Sequence, residues 1–236
     1  MKVLDKGYVK LVDHMGKDCT VVMAARASHD EGLKSPEEDE SLAKYLYKNR
    51  HTSPFEHTAL QFEVKAPIFV TRQWMRHRTW SFNEISGRYA EIPSDFYIPD
   101  IDSVGVQSAS SKQASDLVHN PNAKYFRYFL ILFVNCATVF YKTALRMGIP
   151  KEKARMFLPL NIYTKFYATV DLHNFIRFLQ LRLHDHAQYE IRVYALAMLN
   201  QAMEFFPQSL TNVIEELYRL EGYQWFTSSM EFDYEK

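Results

Sequence analysis

The sequence predicts an α+β fold, a single domain over residues 1–236 in which a mixed or antiparallel sheet is flanked by long helices. Three observations predict it. Leu60, Phe62 and Val64 alternate with Gln61, Glu63 and Lys65, the period of a half-buried strand, and Ile162–Val170 alternates in the same way. From about Lys124 to Met147 the chain instead reads as one long helix. The strands are scattered among helices without an internal repeat, which favours α+β over a doubly wound parallel sheet.

Taken in order, residues 1–28 alternate weakly through Val3, Leu4, Tyr8, Val9, Leu11 and Thr20–Met23 and predict a strand or two, with a polar turn at Asp13–Asp18. Ser35 is the expected N-cap and Pro36 the first residue of a helix through Leu42, Tyr45 and Leu46 that stops near Asn49. After the strand from Leu60, Ala66-Pro67 is a stop. Ile68–His77 changes to helical spacing, with Phe69, Gln73 and Arg76 on one face. Residues 78–88 predict a loop that becomes a strand at Tyr89. The polar stretch 101–123 reads as a surface insertion. Gly148 closes the long helix and Pro150 restarts the chain at the head of a short helix around Arg155. Asp171 caps a helix through Leu181, and a further helix is expected from about His186 to Phe206, ended by Pro207.

Composition narrows the function. Lys+Arg 28 against Asp+Glu 28 leaves no net charge, hence no global field toward nucleic acid or an anionic membrane. The only cysteines, Cys19 and Cys136, have no paired spacing, which points away from a disulfide framework and toward a reducing cytoplasm. Cys136 sits in an apolar helix and is expected to be a buried thiol. The N-terminus lacks the apolar run of a signal peptide. Tyr128–Ala137, the most apolar run, is flanked by Lys124, Arg127, Lys142 and Arg146 and is too short to span a bilayer, so a soluble protein is expected. An aromatic content of 15% suggests aromatic surface buried between subunits.

The densest chemical constellation is Arg72-Gln-Trp-Met-Arg76-His77-Arg78-Thr-Trp80-Ser81-Phe-Asn83-Glu84-Ile-Ser86-Gly87-Arg88-Tyr89. Guanidinium forks, Ser hydroxyls and Gly-flanked backbone amides together suit a phosphate. A solvated basic face is the bland alternative, but it would not combine Trp74, Trp80 and Tyr89 with so few lysines.

The segment RHRTWSFNEISGRY, with Arg76-His77-Arg78 and Ser86, resembles the signature of the flavin-dependent thymidylate synthase family. HTSPFEH at 51–57, KAPIFVTRQW at 65–74, ARMFLPLNIYTKF at 154–166 and LRLHDHAQYEIRVYALAM at 181–198 agree with it in order. The resemblance implies conversion of dUMP to dTMP, with 5,10-methylenetetrahydrofolate as methylene donor and NADPH-reduced FAD as hydride source, by a homotetramer whose active sites form where subunits meet. It assigns Arg76, His77 and Arg78 to the flavin, with Arg76 also near the nucleotide. Gln73, Glu84, Ser86, Gly87 and Arg88 match dUMP-binding positions, Ser86 and Arg88 near the phosphate, and Glu84 also borders the cofactor. Arg155 matches a further phosphate ligand. Arg182 matches the arginine that faces the uracil and promotes ionisation at N3. His51, Ser53 and Glu56 match the flavin-pocket segment, with His51 beside the pterin, and His186 matches another flavin position. Asp171, His173 and Arg177 depart from the family pattern where the adenine or ribose-phosphate of FAD would lie. Neither cysteine matches a functional position, consistent with a family that uses no cysteine nucleophile. No G-x-G-x-x-G is present, and NADPH is expected to dock transiently.

Three other readings compete. His184, Asp185, His186 and Glu190, or His51, Glu56 and His57, could be metal ligands, but no third ligand set stands at a fixed spacing, so no metal is expected. A regulatory module could keep a nucleotide pocket without catalysis, a reading that an intact Arg182 opposes. A nucleic-acid groove needs an extended basic track that the chain lacks.

Overall fold

The computed structural model describes residues 1–109 and 115–221. Its main sheet has five strands, all pairings antiparallel, in the order β1 (Lys2–Val3), β2 (Gly7–Met15), β3 (Ala59–Pro67), β7 (Tyr163–Asp171), β4 (Ser81–Glu84). The chain enters through β1 (Lys2–Val3) and β2 (Gly7–Met15). Gly16, at φ 79, then turns it into helix α1, Asp18–Arg26. Thr20–Met23, expected to extend a strand, therefore lies in a helix, and the expected turn at Asp13–Asp18 shrinks to its last residues because β2 runs through Met15. The β-branched pair Val21-Val22 suggests a strand locally. Both side chains are fully buried, and tertiary packing overrides that preference.

Helix α2 (Pro36–Lys48) begins as expected, with a reciprocal capping box between Ser35 and Glu38, and its C-cap is Asn49. A 3₁₀ turn at Ser53–His57 leads into β3 (Ala59–Pro67). There Leu60, Phe62 and Val64 are fully buried. Helix α3 (Ile68–Trp74) is shorter than the expected Ile68–His77. The next strand, β4, is Ser81–Glu84, and Tyr89 sits in the turn after it rather than opening a strand. A small ribbon of β5 (Val106–Gln107) and β6 (Ser115–Asp116) follows.

Helix α4 runs Ala123–Arg146 and Pro150 is the N-cap of α5, Lys151–Ala154. Strand β7 (Tyr163–Asp171) pairs with β3 along its whole length, Phe62 opposite Ala168 and Val64 opposite Phe166. Asp171 caps α6 (Leu172–Arg182) by accepting from Asn174 N at 2.8 Å. Helix α7 is Tyr189–Ala202, shorter at both ends than the expected 186–206. Pro207 does not end that helix but begins α8, Pro207–Glu221, which periodicity alone did not reveal. The N-terminus of α8 is held by Asp18, whose carboxylate accepts from Gln208 N at 2.7 Å and from Ser209 N at 3.0 Å.

One face of the sheet packs on α6 and α7, with Trp74 at the centre of the aromatic core. Its ring lies 5.3 Å from Phe178, 5.4 Å from Phe166 and 5.9 Å from Tyr194. The opposite face is polar. Glu63 there accepts from Tyr8 Oη at 2.6 Å and Tyr167 Oη at 2.8 Å and pairs with Lys165 at 3.0 Å, which pulls its carboxyl down to about 2.

Helix α4 corrects two expectations. Its inner seam is narrow: Val134, Ala137, Tyr141 and Ala144 are buried at coiled-coil-like spacing. Phe129, Phe133 and Phe140 stand 62%, 55% and 56% exposed on the other side. Cys136 shares that outer face and is exposed, not buried. A helix apolar all round does not announce which stripe packs inward. The helix is also 24 residues long, and by length and composition alone it could cross a membrane, so shortness is not what argues against a span.

Candidate active site

The arginine-rich segment is placed by burial of its tryptophans. Trp74 is fully buried at the end of α3 and Trp80 nearly so before β4. Anchoring both indoles in the core carries the intervening Met75–Thr79 turn over the end of α6, and leaves Arg76 and Arg78 exposed. His77 comes to rest with its ring edge-on to Phe178, centroids 5.0 Å apart.

There it meets Arg182, the last residue of α6. Arg182 donates from Nε to His77 Nε2 at 3.0 Å and from Nη2 to the Gln73 carbonyl at 3.0 Å. Both acceptors are neutral. Burial, followed by the charges of Arg182 and Arg177, pushes the His77 imidazole down to about 4, so at neutral pH it can accept a hydrogen bond. Among the described residues no carboxylate pairs with Arg182, and burial lowers its own affinity for the proton. The result is a guanidinium oriented by two partners that do not neutralise it. Gln73 is steadied in turn by its side chain, which hydrogen-bonds Gln188, the residue before α7. Gln188 gave no sign in the sequence, since only the folded chain brings it to Gln73.

A second group forms around the turn after β4. Tyr89 N and Ala90 N donate to the Ser86 carbonyl at 3.1 and 3.0 Å, and Arg88 N donates to Ser86 Oγ at 3.3 Å. Gly87 is tightly enclosed: a Cβ there would lie 2.6 Å from Ile92 Cδ1 and 3.2 Å from Arg155 Cδ. That contact brings Arg155 to the Ser86–Arg88 turn. Arg88 reaches Glu152 at 3.5 Å, a loose and exposed pair. Glu84, the last residue of β4, accepts from the buried Thr164 Oγ1 at 2.6 Å.

The third group lines a cleft of about 1120 Å³ between α2, α6 and α8, where His51, His173 and Arg177 meet Phe55, Ile176 and Leu181. Apolar side chains alongside cations suit a ligand with a flat ring system and a charged diphosphate. Ser53 and Glu56 lie exposed on the neighbouring 3₁₀ turn and do not line the cleft. Both Asp171 oxygens are engaged by Asn174, at 2.8 and 2.7 Å. His186 sits in the exposed link between α6 and α7, its ring 4.9 Å from that of His184.

Two of the rival metal ligands are otherwise employed. Glu190 accepts from Tyr97 Oη at 3.2 Å and Asp185 pairs with Arg192 at 3.6 Å. Among the described residues no three His, Cys, Asp or Glu side chains are placed to hold a metal ion.

The chain is similar to known proteins over most of its length. A family model described as thymidylate synthase complementing protein matches residues 10–208. The chain is 48% identical over 223 residues to a protein of Thermus thermophilus named flavin-dependent thymidylate synthase, covering 93% of this chain and 79% of that one. It is 44% identical over 215 residues to a protein of the same name from Wolbachia pipientis wMel, covering 91% and 76%. Among solved structures, a UMP/dUMP methylase PolB from Streptomyces cacaoi bound with 5-Br dUMP matches with a TM-score of 0.83 at 33% identity, covering 91% of this chain and 97% of that one.

Proposed function

The chain belongs to the flavin-dependent thymidylate synthase family, and from that we infer that it is a methyltransferase that converts dUMP to dTMP with FAD as its cofactor. The observation that carries the chemistry is Arg182, half-buried, free of any carboxylate among the described residues, and aimed by His77 and the Gln73 carbonyl.

A methyl group has to be built on C5 of uracil, an unactivated vinylic carbon, so the ring must first gain electron density. A fixed guanidinium at the uracil edge favours the N3-ionised form, and it needs no reorganisation when charge develops. Neutral acceptors are the right partners for this task. A carboxylate in place of His77 would hold Arg182 equally well but cancel its charge.

We assign 5,10-methylenetetrahydrofolate as carbon donor and NADPH as reductant. The methylene group is at the oxidation level of formaldehyde, so reaching methyl takes two electrons, and dUMP, methylenetetrahydrofolate, NADPH and a proton balance dTMP, tetrahydrofolate and NADP⁺. FAD, when bound, relays the hydride. The cleft beside α6 has the volume and the mixed apolar and cationic lining such a cofactor needs. His51, His173 and Arg177 would hold it there, with Arg76, His77, Arg78, Glu84 and His186, and with Ser53, Glu56 and Asp171 at its margin. Ser86, Gly87, Arg88 and Arg155 would take the nucleotide phosphate, with Gln73, Arg76 and Glu84 around the sugar and base.

The phosphate group and Arg182 are held by different elements, and the outer face of α4 leaves large aromatic side chains uncovered. Both features fit a soluble, cytoplasmic homotetramer whose sites are completed between subunits. The test is spectral. Purified protein should show flavin absorbance, and dUMP should accelerate its NADPH oxidation; a colourless protein that takes up no added FAD would refute the reading.

A further inference from the structure

Among the described residues three helical segments end in the same turn, at Asp30 after α1, at Arg50 after α2 and at Gly148 after α4. Only α4 uses the residue that turn prefers, while Asp tolerates the left-handed region better than Arg. At the end of α4, Gly148 N donates to the Leu145 carbonyl at 3.0 Å and Ile149 N to the Ala144 carbonyl at 3.0 Å, with Gly148 at φ 79. At the end of α2, Arg50 N donates to the Tyr47 carbonyl at 3.1 Å and His51 N to the Leu46 carbonyl at 2.9 Å, with Arg50 at φ 56. Both are Schellman motifs, whose left-handed position is normally glycine because any Cβ is strained there. An arginine at that position gives up stability, and such strain is kept where the side chain or its neighbour has work to do.

Arg50 lines the rim of the cleft beside α6, as do Lys44 and Lys48. Lys44 is committed to Glu215 at 3.0 Å, and Glu216 is engaged by Tyr47 and by Gln180. Lys48 and Arg50 have no ion pair among the described residues, and both are exposed. Among the described residues the cleft therefore carries at its open edge two cations without an ion pair, one of them beside His51, which the same motif fixes in place. Glu216, held by the neutral Tyr47 and Gln180, is the one lining carboxylate without a cationic partner among those residues.

We propose that Arg50 and Lys48 form an anion-binding rim for the γ-linked glutamate carboxylates of the folate co-substrate, a site that rests on the reading of His51 as the neighbour of the pterin. A flexible tail with several carboxylates suits cations at an exposed edge, because each contact is weak and they act together. A single buried phosphate would call for converging backbone amides instead. The diphosphate of the flavin is taken on this reading by His173 and Arg177 on α6.

The test compares methylenetetrahydrofolate carrying one glutamate with the same folate carrying a chain of γ-linked glutamates. The FAD-loaded enzyme should show a KM for the longer form lower on the order of tenfold, and added salt should shrink the difference. Arg50→Gly should remove most of it while raising Tm by about 2–4 °C, because glycine relieves the strained turn. Arg50→Lys should keep it, and Lys48→Ala should weaken it. A wild type indifferent to tail length overturns the proposal, as does an Arg50→Gly enzyme that still discriminates or that melts lower. If Arg50→Gly instead raises KM for NADPH but not for NADH, the rim serves a nucleotide phosphate; if it sheds flavin, the rim serves the diphosphate. Equilibrium dialysis of the two folates against the holoprotein gives the same ratio without turnover, so a protein that makes no dTMP refutes the proposed function while the rim is judged by binding.

Discussion

Arg182 and Arg155 should separate cleanly in kinetics. A phosphate contact is shared by ground and transition states, so Arg155→Ala should mainly raise the KM for dUMP. A guanidinium that meets developing charge on the ring should matter more after binding: Arg182→Ala should lower kcat by roughly 10²–10³ at saturating dUMP. Arg182→Lys should recover only part, since an ammonium cannot keep both the His77 and Gln73 bonds and still present a planar fork. An Arg155→Ala enzyme slower than Arg182→Ala would reverse these roles. His77 gives a stability test at the same scale. Its folded pKa is about 4 against 6.5 for the free imidazole. As pH falls below 6.5 the unfolded chain takes up this proton first, so folding stability is lost between 6.5 and about 4. Denaturant titrations across that window should show a shallower loss for His77→Gln than for wild type, and parallel curves would contradict the assignment. The sequence made Arg182 legible through a motif. Its neutral partners were not legible, because the contacts with His77 and the Gln73 carbonyl, and the link from Gln73 to Gln188, arise only on folding.

At the scale of elements, local chemistry was read best where it closes on itself. Ser35 and Glu38 form their capping box within one turn, Asp171 caps α6 three residues away, and Gly148 ends α4. Each is determined by residues close in the chain, so each was visible. Ser35→Ala should lower stability by about 1 kcal/mol, and Gly148→Ala by about 1–2 kcal/mol, both read as shifts in denaturant midpoint at constant slope; no shift for Gly148→Ala would show that its left-handed turn is not strained by a Cβ. Elements fixed by distant partners were misread. Helix α1 looks like strand until Val21 and Val22 are buried, and α8 starts at a proline that looked like a stop because its cap, Asp18, lies at the other end of the chain. The strand at 81–84 was missed for the same reason: its pattern is too short to show alternation, and it exists as an edge partner of β7.

For the molecule as a whole, the sheet with its α6–α7 layer explains the buried aromatics, while α4 holds most of the exposed ones among the described residues. On the proposed assembly, replacing Phe133 with Glu should shift the native mass toward smaller species and reduce flavin occupancy together, since the sites are completed between copies; analytical ultracentrifugation with flavin absorbance reads both. A variant that dissociates yet stays fully flavin-loaded would place the cofactor within one subunit. The aromatic excess was legible in the composition, but the stripe of α4 that leaves large side chains exposed was not. The inner seam holds small residues such as Ala137 and Ala144 and the outer face the large ones, the reverse of what burial by hydrophobicity suggests. The same inversion left Cys136 exposed. The proposed activation of dUMP by an unneutralised Arg182 needs no cysteine nucleophile. Its most direct test is to incubate the FAD-loaded Cys19→Ala/Cys136→Ala protein with dUMP, methylenetetrahydrofolate and NADPH and to measure dTMP by mass. Formation of dTMP at a rate close to wild type is the result predicted, and a folded, flavin-loaded double variant that makes none would contradict it.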